Sequence, residues 1–514
     1  MSFRIGTSFL CQAVACLAAV KLSDINDGDA SIQHHPSFSS ISIETAFWQE
    51  FVGTAAEPND LFFKLINHIA DRGGEPILRP GGITQDSLIF DQDAEEDIVR
   101  TMGNNGEVYR TTVGPGYYGS WSSFAEGVGF ISTLNFYNDS LQIAEDLAAA
   151  SLKYQPDRIK YFELGNEPNN YPETRWNDST SKYVTQWKQW TADIDAAAEQ
   201  ANNSRQIKWW ASSATTDDTE LRIRPVDLIP AGIDSEDQVG QFSIHSYVHN
   251  TCSSEGTELA TIPNLLNHTE IITFADAEVL PSSQAAQAHG KEWVMGEFNS
   301  VACSGRPNVT DTFTQALWMI DTQLTYAVMN ATSVYQHQGA TLVLQSGSQT
   351  NTPGFSAYNL LYPRESEKYG EARVLPSFAG LLFLTEVFAE SGTRVRQVAA
   401  PEGVDPDRFS GYALYKGSDA RVTRLVLLNL NPYYGDASES DYTVQLDLSS
   451  YIRNSASVKR LTAPSVDEKD ASNVTWAGQS FKYGDAEGET QQESVSGANI
   501  VSIRGSEAIL VSLM

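Results

Sequence analysis

The sequence predicts an α/β chain: a (β/α)8 barrel followed by an all-β sandwich. Three observations carry that expectation. Between about residues 37 and 390, eight short runs rich in β-branched and aromatic residues alternate with longer stretches whose apolar residues recur at three- and four-residue spacing. After about residue 391 the helical periodicity fades, and short strands divided by Gly, Asp and Ser turns take over. The predicted barrel strands also end in polar and titratable residues, at the face where a barrel keeps its chemistry.

Taken in order, the barrel strands are expected at "SFSSISIETAF", "EPILRPGG", "EVYRTTVGPG", "IKYFELGNEP", "QIKWWASSA", "QFSIHSYV", "EWVMGEFNS" and "TSVYQHQGA". Half of them close on Gly, Pro or Ser. "DSLQIAEDLAAASLKY" and "SKYVTQWKQWTADIDAAAEQAN" are the clearest helices between them. The sandwich strands are expected in 391–514, at "RVRQVAA", "FSGYALYKG", "RVTRLVLLNLNP", "YTVQLDLS", "SVKRLTAP", "FKYG", "NIVSIRG" and "AILVSLM", with 20–36 adding a further strand. The acidic loops 436–441 and 485–493 read as solvated.

Composition narrows the partners. With 514 residues, 41% hydrophobic and 19% charged, the chain has the make-up of a globular protein with a sizeable core. Its 65 acids against 34 Lys and Arg give a net charge of −31, which repels nucleic acid, anionic membrane and long polyanions. A monomer is expected. Residues 1–19 read as a secretory signal peptide: Arg4 precedes an apolar run from Phe9 to Val20, too short to span a bilayer. No later segment is apolar enough to cross a membrane. An extracellular location agrees with seven N-glycosylation sequons, at Asn138, Asn177, Asn202, Asn267, Asn308, Asn330 and Asn473. It also agrees with the two cysteines left after cleavage, Cys252 and Cys303, an even pair expected to form a disulfide.

At the strand ends the titratable residues are Glu44, Arg79, Glu167, His245, Glu297 and His337. Glu167 closes "FELGNEP" and Glu297 closes "WVMGEFNS". Two glutamates on rigid strand ends across a barrel mouth suit glycoside hydrolysis with retention, where one carboxyl protonates the leaving oxygen and the other attacks the anomeric carbon. Asn166 beside Glu167 suits a sugar hydroxyl next to the reacting carbon. Glu163, four residues upstream, reads as a buried supporting group. Arg79 beside a strand-end carboxylate would keep that carboxylate ionised. No metal site is expected, since neither His34 with His35 nor His245 with His249 has a ligand constellation around it. No cofactor is expected either: "GPGYYGS" lacks the lysine and spacing of a phosphate loop. Tyr117, Tyr118 and Trp121 suit either a sugar platform or core packing.

These residues resemble a known group, the retaining barrel glycosidases with both glutamates on the fourth and seventh strands. Within it the match is to the family that contains β-glucuronidases and heparanase (glycoside hydrolase family 79-like), in its secreted fungal form. The resemblance rests on "GNEP", on "LRPGGITQD" from Leu78 to Asp86, on "IHSY" from Ile244 to Tyr247, and on "GEFNSVACSGRPNVTDTF" from Gly296 to Phe313. It implies Glu167 as acid/base and Glu297 as nucleophile. It places Asn166 on the sugar 2-hydroxyl, Tyr247 towards the nucleophile and Glu44 on distal hydroxyls. Arg79 and His245 would support the nucleophile, and Ser304 and Gly305 would offer backbone N–H groups to a substrate carboxylate. The chain departs from the family where the turn reads Ala302–Cys303–Ser304–Gly305, without the family's tyrosine, and where a later family tyrosine falls on Phe378. The expectation is therefore a secreted, exo-acting retaining β-glycosidase with β-glucuronides as first choice of substrate. A neutral β-hexosidase is the alternative within the class, and a catalytically inactive carbohydrate-binding protein the alternative outside it.

Overall fold

The computed structural model describes residues 19–22, 28–104, 106–200, 207–217, 219–340, 354–367, 370–495, 497 and 499–514. The signal peptide expected over 1–19, all but its last residue, and the sequon at Asn202 lie outside the described residues.

The barrel closes as a ring of eight parallel strands: Ser39–Ile43, Leu78–Pro80, Phe130–Leu134, Ile159–Leu164, Lys208–Thr215, Val239–Asn250, Glu292–Ala302 and Val334–Gln338. Each pairs with its sequence neighbour, and the eighth returns to the first with Val334 opposite Ser39 and Gln338 opposite Ile43. Helices between the strands cover the outside. Leu141–Tyr154 and Thr180–Gln200, the two clearest in the sequence, form with their apolar residues inward. Inside the barrel, Ile131, Trp210, Val294 and Tyr335 make a small apolar plug beneath the polar mouth. Among the described residues no helix is long and apolar enough to cross a membrane.

The third strand is not where the sequence suggested. "EVYRTTVGPG" contributes Val108–Val113, which pairs with Leu88–Phe90 and Ile98–Met102 in a separate three-stranded sheet outside the barrel. The barrel instead uses "FISTL", Phe130–Leu134, buried at every position. A strand covered on both faces has no alternation to announce it, whereas Val108–Val113 is half exposed and β-branched. The outer sheet braces the first strand's loop, where Arg100 pairs with Glu50 at 2.6 Å and covers the Phe47 ring. Tyr117, Tyr118 and Trp121 are all buried in that region. Trp121 stacks on Phe130 with ring centroids 4.3 Å apart, which makes these aromatics packing rather than a sugar platform.

The C-terminal part is a two-layer β-structure. A seven-stranded sheet runs in the order Thr393–Val398, Phe409–Lys416, Val422–Asn429, Glu507–Leu513, Ala456–Thr462 and Thr475–Trp476, with Glu493–Val495 added on Ala456–Thr462. A three-stranded sheet of Val20–Lys21, Val444–Asp447 and Ile500–Ile503 lies against it. The period of two along a strand explains how one sheet serves two interfaces. Leu425 and Leu427 face the sandwich interior, while Val426 and Leu428 join the core shared with the barrel helices. "FKYG" is a turn, not a strand; its Phe481 packs on Phe378 and His68 from the barrel's outer helices. A buried polar knot also crosses this interface. Asp321, on helix Phe313–Val328, accepts from Tyr412 at 2.6 Å and pairs with His268 at 2.9 Å.

Candidate active site

The site begins with Arg79, fully buried on the second strand. A buried guanidinium must have its five N–H donors matched, and the first, fourth and seventh strands supply acceptors. Its Nε and Nη2 donate to the two oxygens of Glu163, at 2.6 and 2.9 Å. Nη1 donates to Glu297 Oε2 at 2.6 Å and to Ser42 Oγ at 3.1 Å. Nη2 also donates to Asn166 Oδ1 at 2.9 Å. Glu163 is thus the permanent bidentate partner of Arg79, as its buried position on the strand suggested, and one arginine touches both glutamate-bearing strands. Burial opposes the charge on Arg79, but Glu163 and Glu297 more than restore it. The arginine also orients Asn166: an N–H can only donate, so the amide oxygen turns to Arg79 and the NH2 group is directed away.

Glu297 sits on the seventh strand, where a bulge omits Gly296 from the pairing: Met295 faces Ile244, and Glu297 faces His245. The bulge needs that glycine, because a Cβ there would lie 2.1 Å from Ser243 Oγ. Tyr247 donates its hydroxyl to Glu297 Oε1 at 2.9 Å, opposite the Arg79 bond to Oε2. Burial acts to raise the Glu297 pKa. The positive field of His337, Arg79 and His245, with the Arg79 hydrogen bond, overcomes it and lowers the pKa to about 2. Burial and the adjacent Glu297 charge keep Tyr247 a neutral phenol, a donor to the carboxylate.

Glu167 follows the fourth strand in the left-handed region, at φ 48° and ψ 54°, immediately before Pro168. That conformation is costly for a residue of this type and is held by the backbone, with Glu167 N–H bonded to the Ser213 carbonyl at 2.9 Å. Its carboxyl lies 3.3 Å from His245 Nδ1. Burial raises its pKa, and the Glu297 charge adds to that against the lowering by His245. His245 is itself buried beside Arg79, both of which disfavour its proton; the flanking Glu163 and Glu167 outweigh them and raise its pKa. The two glutamates are therefore tuned apart: one held ionised, the other inclined to keep a proton.

One oxygen of Glu167, one of Glu297 and one ring nitrogen of His245 all lie within 4.8 Å of one another. Carboxyl groups about 5–5.5 Å apart belong to retaining chemistry; inverting pairs stand about 6.5–9.5 Å apart to admit a water. The same three groups are those that could offer donors to a cation. The geometry disfavours that use, because Arg79 already lies 2.6 Å from Glu297 and would repel a metal ion.

Glu44, just past the first strand, forms the far wall. Oε1 accepts from Thr84 N–H at 2.7 Å and from the Thr84 hydroxyl, and Oε2 lies 3.4 Å from His337 Nε2. Gly82, at φ 119°, lets the chain pass: a Cβ there would come within 2.8 Å of Glu44 Oε2. The turn after Glu297 is fastened from outside. Cys252 and Cys303 form the expected disulfide, Cα–Cα 5.6 Å, joining the loops after the sixth and seventh strands. Cys303 and Ser304 both take positive φ, at 61° and 73°. The N–H of Gly305, expected to face substrate, instead donates to the Val301 carbonyl at 3.1 Å, closing the turn on itself. Ser304 presents its carbonyl to Ala357 N–H at 2.9 Å. That bond places Tyr358 beside the site, its ring 6.2 Å from Tyr247 and 6.4 Å from His337. Phe378, where the family's later tyrosine was expected to fall, lies on helix Ser377–Phe388, packed on Phe481 with ring centroids 5.7 Å apart. Tyr358 was missed because no strand or motif marks its segment.

Comparison with known proteins agrees with the fold described above. Residues 411–510 match the glycosyl hydrolase family 79 C-terminal beta domain. The chain is 27% identical over 506 residues to a β-glucuronidase of Aspergillus niger, covering 91% of this chain and 87% of that protein. It is 24% identical over 424 residues to a β-glucuronidase of Neurospora crassa, covering 78% and 73%. Its fold superposes on the crystal structure of a 4-O-α-L-rhamnosyl-β-D-glucuronidase from Fusarium oxysporum 12S, with a TM-score of 0.76 at 22% identity over 96% of this chain and all of that one. Fold and site together define a glycoside hydrolase. More narrowly, the chain resembles the family 79 glycoside hydrolases, with a barrel followed by the β-structure that matches their C-terminal domain.

The Arg79 network yields a stability prediction. Arg79→Met takes the bidentate and hydrogen-bonded guanidinium away from the buried Glu163 and Glu297 and should cost about 3–5 kcal/mol in denaturant unfolding at neutral pH. In the native protein Arg79 depresses both carboxyl pKa values, stability that is present above their unfolded pKa and lost as pH falls. In the variant, burial raises them relative to the native protein, opposed only by His245 and His337. The deficit should therefore shrink between about pH 7 and about pH 4; a deficit that is small, or independent of pH, contradicts the network's role.

Proposed function

We propose that this protein is an exo-acting retaining β-glucuronidase in which Glu167 is the acid/base and Glu297 the nucleophile. The observation that carries the mechanism is the pairing of two carboxyl oxygens within 4.8 Å whose environments push their pKa values in opposite directions. Glu297, ionised between Arg79 and Tyr247, attacks the anomeric carbon; the bond to the aglycone oxygen breaks, and Glu167 gives that oxygen its proton. Glu167, now a base, takes a proton from water. The water oxygen bonds to the anomeric carbon and releases Glu297 and the sugar. Asn166, its NH2 directed away from Arg79, holds the sugar 2-hydroxyl, and Glu44 holds the distal hydroxyls.

The sugar is read from the relatives and from one side chain. Both curated relatives are β-glucuronidases. Tyr358 beside Tyr247 supplies a phenol near the position where a substrate carboxylate would lie, whereas the turn at 302–305 carries no tyrosine. Secretion and N-glycosylation belong to the same reading. Asn138, Asn177, Asn308 and Asn473 are exposed, whereas the Asn330 side chain is engaged with Gln287 and Ile32 and Asn267 caps a helix. Peptide mapping of the secreted protein after glycan removal should mark the exposed four.

Hydrolysis of nitrophenyl β-glucuronide against nitrophenyl β-glucoside tests the sugar, and turnover of the glucoside alone sinks it. Run across pH with the glucuronide, kcat/KM should hold towards acid, because Glu297 stays ionised to about pH 2. It should fall towards alkali as Glu167 loses the proton it must donate, with a limb above the ordinary glutamate value of 4.5. Glu167→Gln, measured on an activated aryl substrate, should remove that alkaline limb.

A further inference from the structure

Asp86 closes the segment "LRPGGITQD", and nothing in the mechanism above uses it. Its carboxylate lies where three strand-end loops meet. Oδ1 accepts the backbone N–H groups of Phe136 and Tyr137, at 3.2 and 3.4 Å, from the loop after the third strand. Oδ2 accepts the backbone N–H of Asn166 at 3.0 Å and the hydroxyl of Tyr171 at 2.6 Å, both from the turn after the fourth strand. Its neighbour Gln85 bonds Arg79 and the Leu134 carbonyl, each at 3.4 Å. These two residues of the second strand's loop thus reach both the nucleophile's arginine and the acid/base turn.

We propose that Asp86 is the positioning residue for the acid/base: by anchoring Asn166 N–H it fixes the left-handed turn that aims the Glu167 carboxyl. This rests on the assignment of Glu167 above. Two backbone anchors flank the Glu167 side chain. One is Glu167 N–H on the Ser213 carbonyl; the other is the preceding N–H, on Asp86. A pre-proline glutamate does not hold φ 48° by preference, so removing an anchor frees the chain to relax. Tyr171 is tied to the same carboxylate and to the Pro168 carbonyl, which braces the turn from its far side. The carboxylate is also an expensive brace. Burial pushes its pKa up to about 6 in spite of four donors. A negative acceptor beside the acid/base turn binds each N–H more tightly than a neutral one.

Asp86→Asn tests this with little change of shape. The amide keeps one acceptor oxygen and turns an NH2 either on Asn166 N–H or on the N–H groups of Phe136 and Tyr137, donor against donor. The proposal requires a loss that tracks the need for acid. For a phenyl β-glycoside, whose leaving oxygen must be protonated as its bond to the anomeric carbon breaks, kcat/KM should fall about 10- to 100-fold. For the 2,4-dinitrophenyl β-glycoside, which leaves unprotonated, kcat/KM should stay within about 2-fold. Azide should raise kcat on the dinitrophenyl substrate and give the β-glycosyl azide: its nitrogen bonds to the anomeric carbon as the Glu297 ester breaks, with no proton for Glu167 to remove. Parallel losses on both substrates without an azide effect reduce Asp86 to a structural brace and overturn the proposal, as does unchanged activity on both. Tyr171→Phe, which removes one donor and leaves the charge, should show the same selectivity at smaller amplitude, and it decides by the same criteria if Asp86→Asn does not fold. The sugar is whichever the wild type cleaves, so a wild type active only on glucosides sinks the glucuronide reading and leaves this test intact.

Discussion

The site depends on one buried guanidinium. Arg79 lies inside a barrel with a net charge of −31 over the whole chain, and its immediate surroundings are also acidic: Glu163, Glu297, Glu167 and Glu44. Glu163, Glu297 and Glu167 in so small a volume could not all ionise without a fixed positive charge. Arg79 supplies it unevenly. It takes Glu163 in a bidentate grip, binds one oxygen of Glu297 and makes no bond to Glu167. That inequality divides the labour between the two facing glutamates. The same arginine sets the Asn166 amide, so one residue fixes the charge of Glu297 and the orientation of the hydrogen-bond donor beside Glu167.

The scaffold reaches this geometry by local departures from regular structure. A plain parallel strand would direct the residue at 296, not 297, into the pairing opposite His245; the bulge at Gly296 corrects the register. Glu167 leaves the fourth strand through a left-handed residue, and Ser212 and Ser213 on the neighbouring strand also take positive φ, at 78° and 49°. The turn at Cys303 and Ser304 is held by a disulfide and by the segment that carries Tyr358. Such strain persists only where the surroundings over-determine it. Here the shared core between barrel helices and β-sandwich, with the Asp321 knot across it, supplies that rigidity.

Much of this is legible in the residues. Seven of the eight barrel strands, the change to an all-β part and the disulfide can be read from pattern and count. Glu167 and Glu297 stand out because each ends a strand of strong β character beside a turn residue. The third strand is hidden because Phe130–Leu134 is buried on both faces, while a solvent-facing hairpin nearby carries the stronger alternation. Asp86 and Tyr358 are hidden for a different reason. Their roles arise from which loops meet in space, and no apolar repeat in the sequence marks either position. Gly305 misleads for a third: a glycine in a turn signals backbone freedom, but not whether its N–H faces outward or, as here, back to the Val301 carbonyl.

The central claim is that Glu297, held ionised by Arg79, forms the covalent bond to the sugar. Replacing it removes the nucleophile and leaves space beside Glu167. Turnover of an activated aryl β-glucuronide by Glu297→Ala, with the product's anomeric configuration determined by NMR, tests this most directly. The account predicts negligible activity in buffer and restored turnover with azide. The product should be the α-glucuronyl azide, because the anion enters from the face that Glu297 occupied. Substantial activity without azide, or a β-configured azide product, would contradict it.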